Sequence, residues 1–124
     1  MYLVGAPHPH RTEAHIIIER LITSAERLVT DAEVLQEILH RYAAVQRRDA
    51  IGPALRVMLE LVDSVLPLER ADVQRAAEIL QVETRFSARD AVHVAVMERY
   101  GIRSIMSFDR DFDLWPGLHR IWQP

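Results

Sequence analysis

At 124 residues the chain is one domain's worth of sequence, long enough to bury roughly two thirds of its unfolded surface without disulfides or structural metals. Fifteen basic residues against 18 acidic ones leave a formal charge of −3, which excludes a histone-like or polybasic membrane-surface protein and confines any nucleic-acid contact to a local patch. The absence of cysteine excludes disulfide frameworks, thiolate nucleophiles and zinc-finger chemistry, so a bound metal has to sit on oxygen or imidazole.

All the basic residues are arginine, whose forked guanidinium suits phosphate. Met1 to Gly5 has neither a basic n-region nor an apolar h-region, and no stretch approaches the roughly 20 apolar residues of a membrane span. The chain is expected to be soluble and cytoplasmic, without membrane contact. No internal repeat is present, and the one biased tract is Gly5-Ala6-Pro7-His8-Pro9-His10, whose histidines read as exposed loop residues.

Ala14, Ile17, Ile18, Leu21 and Ile22 recur at the spacing of one buried helical stripe, with Thr12 as its N-cap. Arg27-Leu28-Val29-Thr30 is a short β-prone run, and Thr30 with Glu33 predicts a capping box opening a second helix whose apolar side is Val34, Leu35, Ile38, Leu39 and Tyr42. A third helix is expected from about Asp49 to Asp63, with Leu55, Met58, Leu61 and Val62 inward and Pro53 in its first turn. Ser64 to Leu68 reads as a strand, with Pro67 indicating an edge.

From Ala71 to about Gln81 the period is helical again, with Val73, Ala76, Ala77 and Leu80 on the apolar side, and Val82 to Phe86 forms a loop. Ser87 and Asp90 form a second capping box, opening a helix that runs to about Tyr100 and stops at Gly101. A strand at Ile102 to Ser107, an acidic turn from Asp109 to Asp113 and a last strand near Leu118 to Ile121 complete the order. Alternating strands and helices predict an α/β fold with a parallel sheet covered on both faces. Such a domain ordinarily begins with a central strand, whereas Met1-Tyr2-Leu3-Val4 reads as the tail of a helix turn, so the first, central strand is expected to be missing. The competing fold is a small all-helical regulator, which leaves the β-prone runs at 28–30, 65–68 and 104–107 unexplained.

Three carboxylates fall where an open parallel sheet places ligands, past the carboxyl ends of its strands: Glu37 in the second helix, Asp90 in the first turn after Ser87, and Asp109 after the Ile105-Met106 strand. If those strand ends share one edge, their repulsion is relieved by a hard divalent cation, Mg²⁺ or Mn²⁺, which would polarise a phosphodiester and lower the pKa of a bound water. Each residue also has a plainer reading. Asp90 is explained as a capping-box acid, and Glu37 as a solvated residue on a helix flank. Asp109, Asp111 and Asp113 alternate like a calcium loop, but Leu114 stands where that loop needs glycine and Arg120 where it needs glutamate. Glu37 and His40 make a single Glu-x-x-His pair, where a di-metal bundle needs two. His93, one turn beyond Asp90, faces either the same pocket or the core, and Arg85, Arg89 and Arg110 flank the acidic residues and suit phosphate.

Taken in order, Thr30-Asp31-Ala32-Glu33-Val34-Leu35-Gln36-Glu37-Ile38, Ser87-Ala88-Arg89-Asp90-Ala91-Val92-His93 and Ser107-Phe108-Asp109-Arg110-Asp111-Phe112 resemble three segments of the PIN-domain nucleases. Within that family the pattern is similar to the VapC-like ribonuclease toxins of toxin–antitoxin pairs. The resemblance covers nearly the whole chain and implies a three-layer α/β/α fold, with residues 1–124 as a single PIN-like domain, N-terminally truncated. It implies a metal-dependent endoribonuclease that cuts RNA, with Glu37, Asp90 and Asp109 catalytic and holding the metal; Asp111 is added as a further metal ligand, and Arg85, Arg89, Arg110 and His93, from their positions beside these acids, are expected on the substrate. The implied cofactor is Mg²⁺ or Mn²⁺, and the implied partners are an RNA substrate, a cognate VapB-like antitoxin that occludes the site, and a second copy of the chain in a homodimer. The family's opening strand ends in an aspartate that this sequence does not supply, so the alternative is a catalytically inactive module that keeps antitoxin binding or dimerisation.

Overall fold

The computed structural model describes residues 1–4 and 11–123, with side chains from residue 16 onward in the first helix. Five strands, β1 (Tyr2–Leu3), β2 (Val29–Asp31), β3 (Ser64–Leu66), β4 (Ser104–Met106) and β5 (His119–Ile121), form one sheet in the order β3-β2-β1-β4-β5, and every pairing is parallel. The helices are α1 (Arg11–Thr23), α2 (Ala32–Ala44), α3 (Ile51–Leu61), α4 (Arg70–Val82) and α5 (Ala88–Arg99), with 3₁₀ turns at Arg48–Ala50 and Arg110–Leu114. Parallel strands need long crossovers, and helices supply them.

Alternation along each central strand sorts the core into two halves. Tyr2, Val29 and Ile105 turn to the face covered by α4, α5 and the second 3₁₀ turn, where Ile79, Phe86, Val94, Met97 and Phe112 are buried with them. Leu3, Leu28 and Met106 turn to the opposite face, under Ile17 and Leu21 of α1, with Leu61 and Val62 at the end of α3 packed alongside. The molecule is therefore a three-layer α/β/α sandwich with its sheet buried on both sides, the arrangement in which parallel sheets are stable.

Several expectations need correction. The central strand is present: Tyr2–Leu3 pairs with β2 on one side and β4 on the other, where a helix tail was expected. Two residues suffice because both are fully buried, one on each face. Thr30 is not the cap of α2. It lies in β2 and its hydroxyl donates to the Leu3 carbonyl at 2.7 Å, while Asp31 takes the cap and accepts the Val34 N–H at 2.8 Å.

The stripe on α1 is narrower than predicted, since Ile22 is 55% exposed. On α4 the buried face is Asp72, Ala76 and Ile79, leaving Val73 exposed. Pro67 follows β3, which is indeed an edge strand. His8, His10 and the side chains of Thr12 and Ala14 lie outside the described residues. Gly101 ends α5 at a φ of +67°, a left-handed conformation that glycine adopts without the clash a Cβ brings, and the Ile102 N–H then closes onto the Met97 carbonyl.

Candidate metal centre

The carboxyl ends of β2, β1 and β4 point to one edge of the sheet, and the acidic residues gather there. Asp90 is delivered by its cap: the Ser87 hydroxyl accepts the Asp90 N–H at 3.1 Å, and Asp90 Oδ2 accepts the Ser87 N–H at 3.2 Å. The predicted capping box is therefore real, yet it engages only one carboxylate oxygen of Asp90, and among the described residues the other has no hydrogen-bond partner. Asp109 caps the 3₁₀ turn that leaves β4, accepting the Asp111 N–H on Oδ1 at 2.9 Å, and its own N–H donates to Ser107 Oγ at 3.1 Å. These two turns bring Asp90, Asp109 and Asp111 together, with one carboxylate oxygen from each within 4.8 Å of the others.

Their electrostatics suits a cation. Burial, assisted by the Asp109 charge, pushes Asp90 above the ordinary carboxylate range, against the opposing Ser87 hydrogen bonds and His93 charge. Among the described residues no arginine or histidine hydrogen-bonds or ion-pairs with any of the three. Three converging half-buried carboxylates with no directly bonded cationic side chain among the described residues fit a hard divalent ion bound through oxygen.

Glu37 is not part of that trio. Its Oε1 lies 3.1 Å from His93 Nε2, and the His93 Nδ1 lies 2.7 Å from Asp31 Oδ2, so the imidazole bridges two carboxylates on successive turns of one segment. Burial works against the charge on His93, but its hydrogen bonds to Asp31 and Glu37 outweigh it and raise the imidazole to about 9. The protonated ring donates from both nitrogens. At 3% exposure, with both ring nitrogens engaged, His93 ties Asp31 to Glu37 at the centre of the site.

Sequence reasoning missed Asp31. This fully buried carboxylate accepts the α2 cap, the His93 imidazole and the Tyr2 hydroxyl. The signal lay in the strand ending one residue later than the β-prone run, on an aspartate able to cap the next helix. Glu33 belongs to the same acidic surroundings and is raised by burial and by Glu37 and Asp31, with His93 opposing. Of the arginines, Arg89 is exposed with its Nε 3.9 Å from Glu37, Arg110 is exposed beside Asp109, and Arg85 is turned back onto Glu83 at 3.4 Å.

A parallel three-layer sandwich with an oxygen-donor cluster at the carboxyl edge of its sheet is the arrangement in which open α/β domains place their ligands. The family model described as the PIN domain matches residues 1–117. A VapC ribonuclease of Mycobacterium bovis and ribonuclease VapC13 of Mycobacterium tuberculosis are each 54% identical over 121 residues, covering 98% of this chain and 92% of theirs. Ribonuclease VapC23 of Mycobacterium tuberculosis is 37% identical over 109 residues, covering 88% and 86%. The crystal structure of Mycobacterium tuberculosis VapC20, described as a sarcin–ricin loop cleaving toxin, superposes with a TM-score of 0.76 at 22% identity over 99% of this chain and 98% of that one. VapBC2 of Rickettsia felis, bound to a DNA fragment from its promoter, gives 0.73 at 11% identity over 98% of each chain. The chain belongs to the PIN-domain family, among its VapC-like members.

Proposed function

We propose that the chain is a metal-dependent endoribonuclease toxin of a toxin–antitoxin pair, hydrolysing RNA phosphodiester bonds. The observation that carries this reading is the convergence of Asp90, Asp109 and Asp111 within 4.8 Å at the carboxyl edge of the sheet. Asp90, Asp109 and Asp111 would hold Mg²⁺ or Mn²⁺, which when bound supplies polarisation of the phosphate and a more acidic water. Glu37 is assigned to the attacking water, because His93 fixes one of its oxygens and its side chain is still 19% exposed. Arg89 and Arg110 offer guanidinium forks to phosphate oxygens. Arg85 joins them only by releasing Glu83.

The similar proteins are ribonucleases in each case, which supports the reaction, and the VapBC complexes among the similar structures support a VapB-like antitoxin partner. A protein partner or homodimer is supported further by α3, which buries no residue completely and leaves Val57 65% and Leu59 51% exposed. A cytoplasmic location is part of the proposal; among the described residues no helix is long and apolar enough to cross a membrane. The test is cleavage of RNA by purified protein in Mg²⁺. Asp90→Asn abolishes it on this account, and undiminished cleavage by that variant refutes the metal role.

One observation favours a second reading, a catalytically inactive module that retains partner binding. The central strand runs out through Leu3 into Val4, so it delivers no carboxylate to the edge where the others meet. RNA cleavage by this chain that disappears with EDTA rules that reading out.

A further inference from the structure

Beside the carboxylate cluster, the outer edge of the sheet carries side chains that the metal site does not use. β5 is the edge strand on the side away from β3; Ile121 packs under α1, and Trp122, just past the strand, meets the Arg120 side chain. Arg120 is fixed from two sides. It donates twice to Asp113, each at 2.8 Å, and once to the Ser107 carbonyl at 3.3 Å. So held, its guanidinium lies 5.2 Å from the centre of the Trp122 ring. The indole is thereby steadied on one face, yet remains 44% exposed.

Arg20 of α1 closes the other side of a cleft of about 260 Å³ that it lines with Arg120, Ile121, Trp122 and Gln123. Among the described residues no carboxylate lines the cleft and Arg20 pairs with none. The cleft adjoins the proposed metal site through Ser107, whose N–H donates to the Ile121 carbonyl at 3.2 Å and whose hydroxyl accepts from the Asp109 N–H at 3.1 Å. Trp122 thus stands at the level of the sheet edge where β4 gives way to Asp109.

A steadied, half-exposed indole beside a guanidinium with no carboxylate partner among the described residues matches a nucleotide with a free base face and a phosphate. We propose that Trp122 and Arg20 form a subsite for an unpaired nucleotide of the RNA, next to the one that is cut, with the base stacked on the indole and its phosphate met by Arg20. The proposal rests on the ribonuclease reading above and adds to it that the bound segment is single-stranded here, since bases inside a duplex have no free face.

The test is fluorescence anisotropy of a short labelled single-stranded RNA in Ca²⁺, against the wild-type chain and Trp122→Ala, Trp122→Phe and Arg20→Ala, with the same sequence as a duplex in parallel. Trp122→Ala is expected to raise Kd about tenfold to a hundredfold, the range for one stacked base, and Trp122→Phe to recover most of the loss. Arg20→Ala is expected to weaken binding and to flatten its salt dependence by about one phosphate contact. Duplex binding should not change with Trp122→Ala. Wild-type Kd in Trp122→Ala overturns the subsite alone and leaves the nuclease reading standing. Failure of the wild-type chain to bind any RNA overturns both.

Discussion

Asp31 is the residue on which the centre of the site depends. It ends β2, begins α2, and accepts hydrogen bonds from the Val34 N–H, the Tyr2 hydroxyl and His93 Nδ1 while fully buried. Removing the carboxylate leaves a backbone donor, a phenol and a protonated imidazole without their acceptor in a dry environment. Asp31→Ala is therefore expected to lose about 3 kcal/mol in urea unfolding, against less than about 0.5 kcal/mol for a surface change such as Gln36→Ala. A loss below about 1 kcal/mol for Asp31→Ala would contradict the role given to it. The same residue shows what a sequence hides: Thr30 and Glu33 have the spacing of a capping box, but the cap falls one residue later because the Thr30 hydroxyl is drawn to the Leu3 carbonyl by strand pairing. Local chemistry permits both caps, and a tertiary contact chooses. Glu37 and His93 were both legible as residues, whereas their mutual hydrogen bond, joining positions 56 apart, was not.

At the scale of elements, the most extensive helix pairing is that of α4 with α5, and an ion pair is built into it. Arg99 donates to both oxygens of Asp72, at 2.8 and 2.9 Å, and to the Pro67 carbonyl, while Asp72 Oδ2 also accepts the Glu69 N–H that opens α4. The Arg99 hydrogen bonds, opposed by burial, hold Asp72 below the ordinary carboxylate range. A carboxylate depressed in the folded state adds stability that is present above its unfolded pKa, about 3.9, and is lost as pH falls through its folded value. Asp72→Asn is thus expected to lower the urea midpoint at neutral pH, with the gap to wild type closing below about pH 4. A gap independent of pH would place the effect in packing. Periodicity found α4 to within a residue at each end but put Val73 inside and overlooked Asp72, because an acid on the buried face becomes acceptable only once Arg99 of the next helix reaches it.

For the whole molecule, the sheet gathers residues scattered along the chain onto one rim, and the chain's alternation of strands and helices made that legible. The three family-like segments led to Asp90 and Asp109 at their observed edge, since each follows a strand or a cap that points there. The central strand was not legible: two residues carry no periodicity, and Tyr2–Leu3 is a strand only because buried neighbours pair with it on both sides. Asp111 was named as a ligand without a geometric reason, since a 3₁₀ turn, and not a calcium loop, brings its carboxylate back toward Asp109.

The central claim is that this rim holds one divalent cation on the oxygens of Asp90, Asp109 and Asp111. Titration of the wild-type chain with Mn²⁺, followed by the electron paramagnetic resonance of the free ion, tests it without reference to any substrate. The account predicts that the chain removes free Mn²⁺ from solution and that Asp90→Asn and Asp109→Asn each weaken binding by at least about tenfold. Mn²⁺ affinity in Asp90→Asn equal to that of the wild type would contradict it.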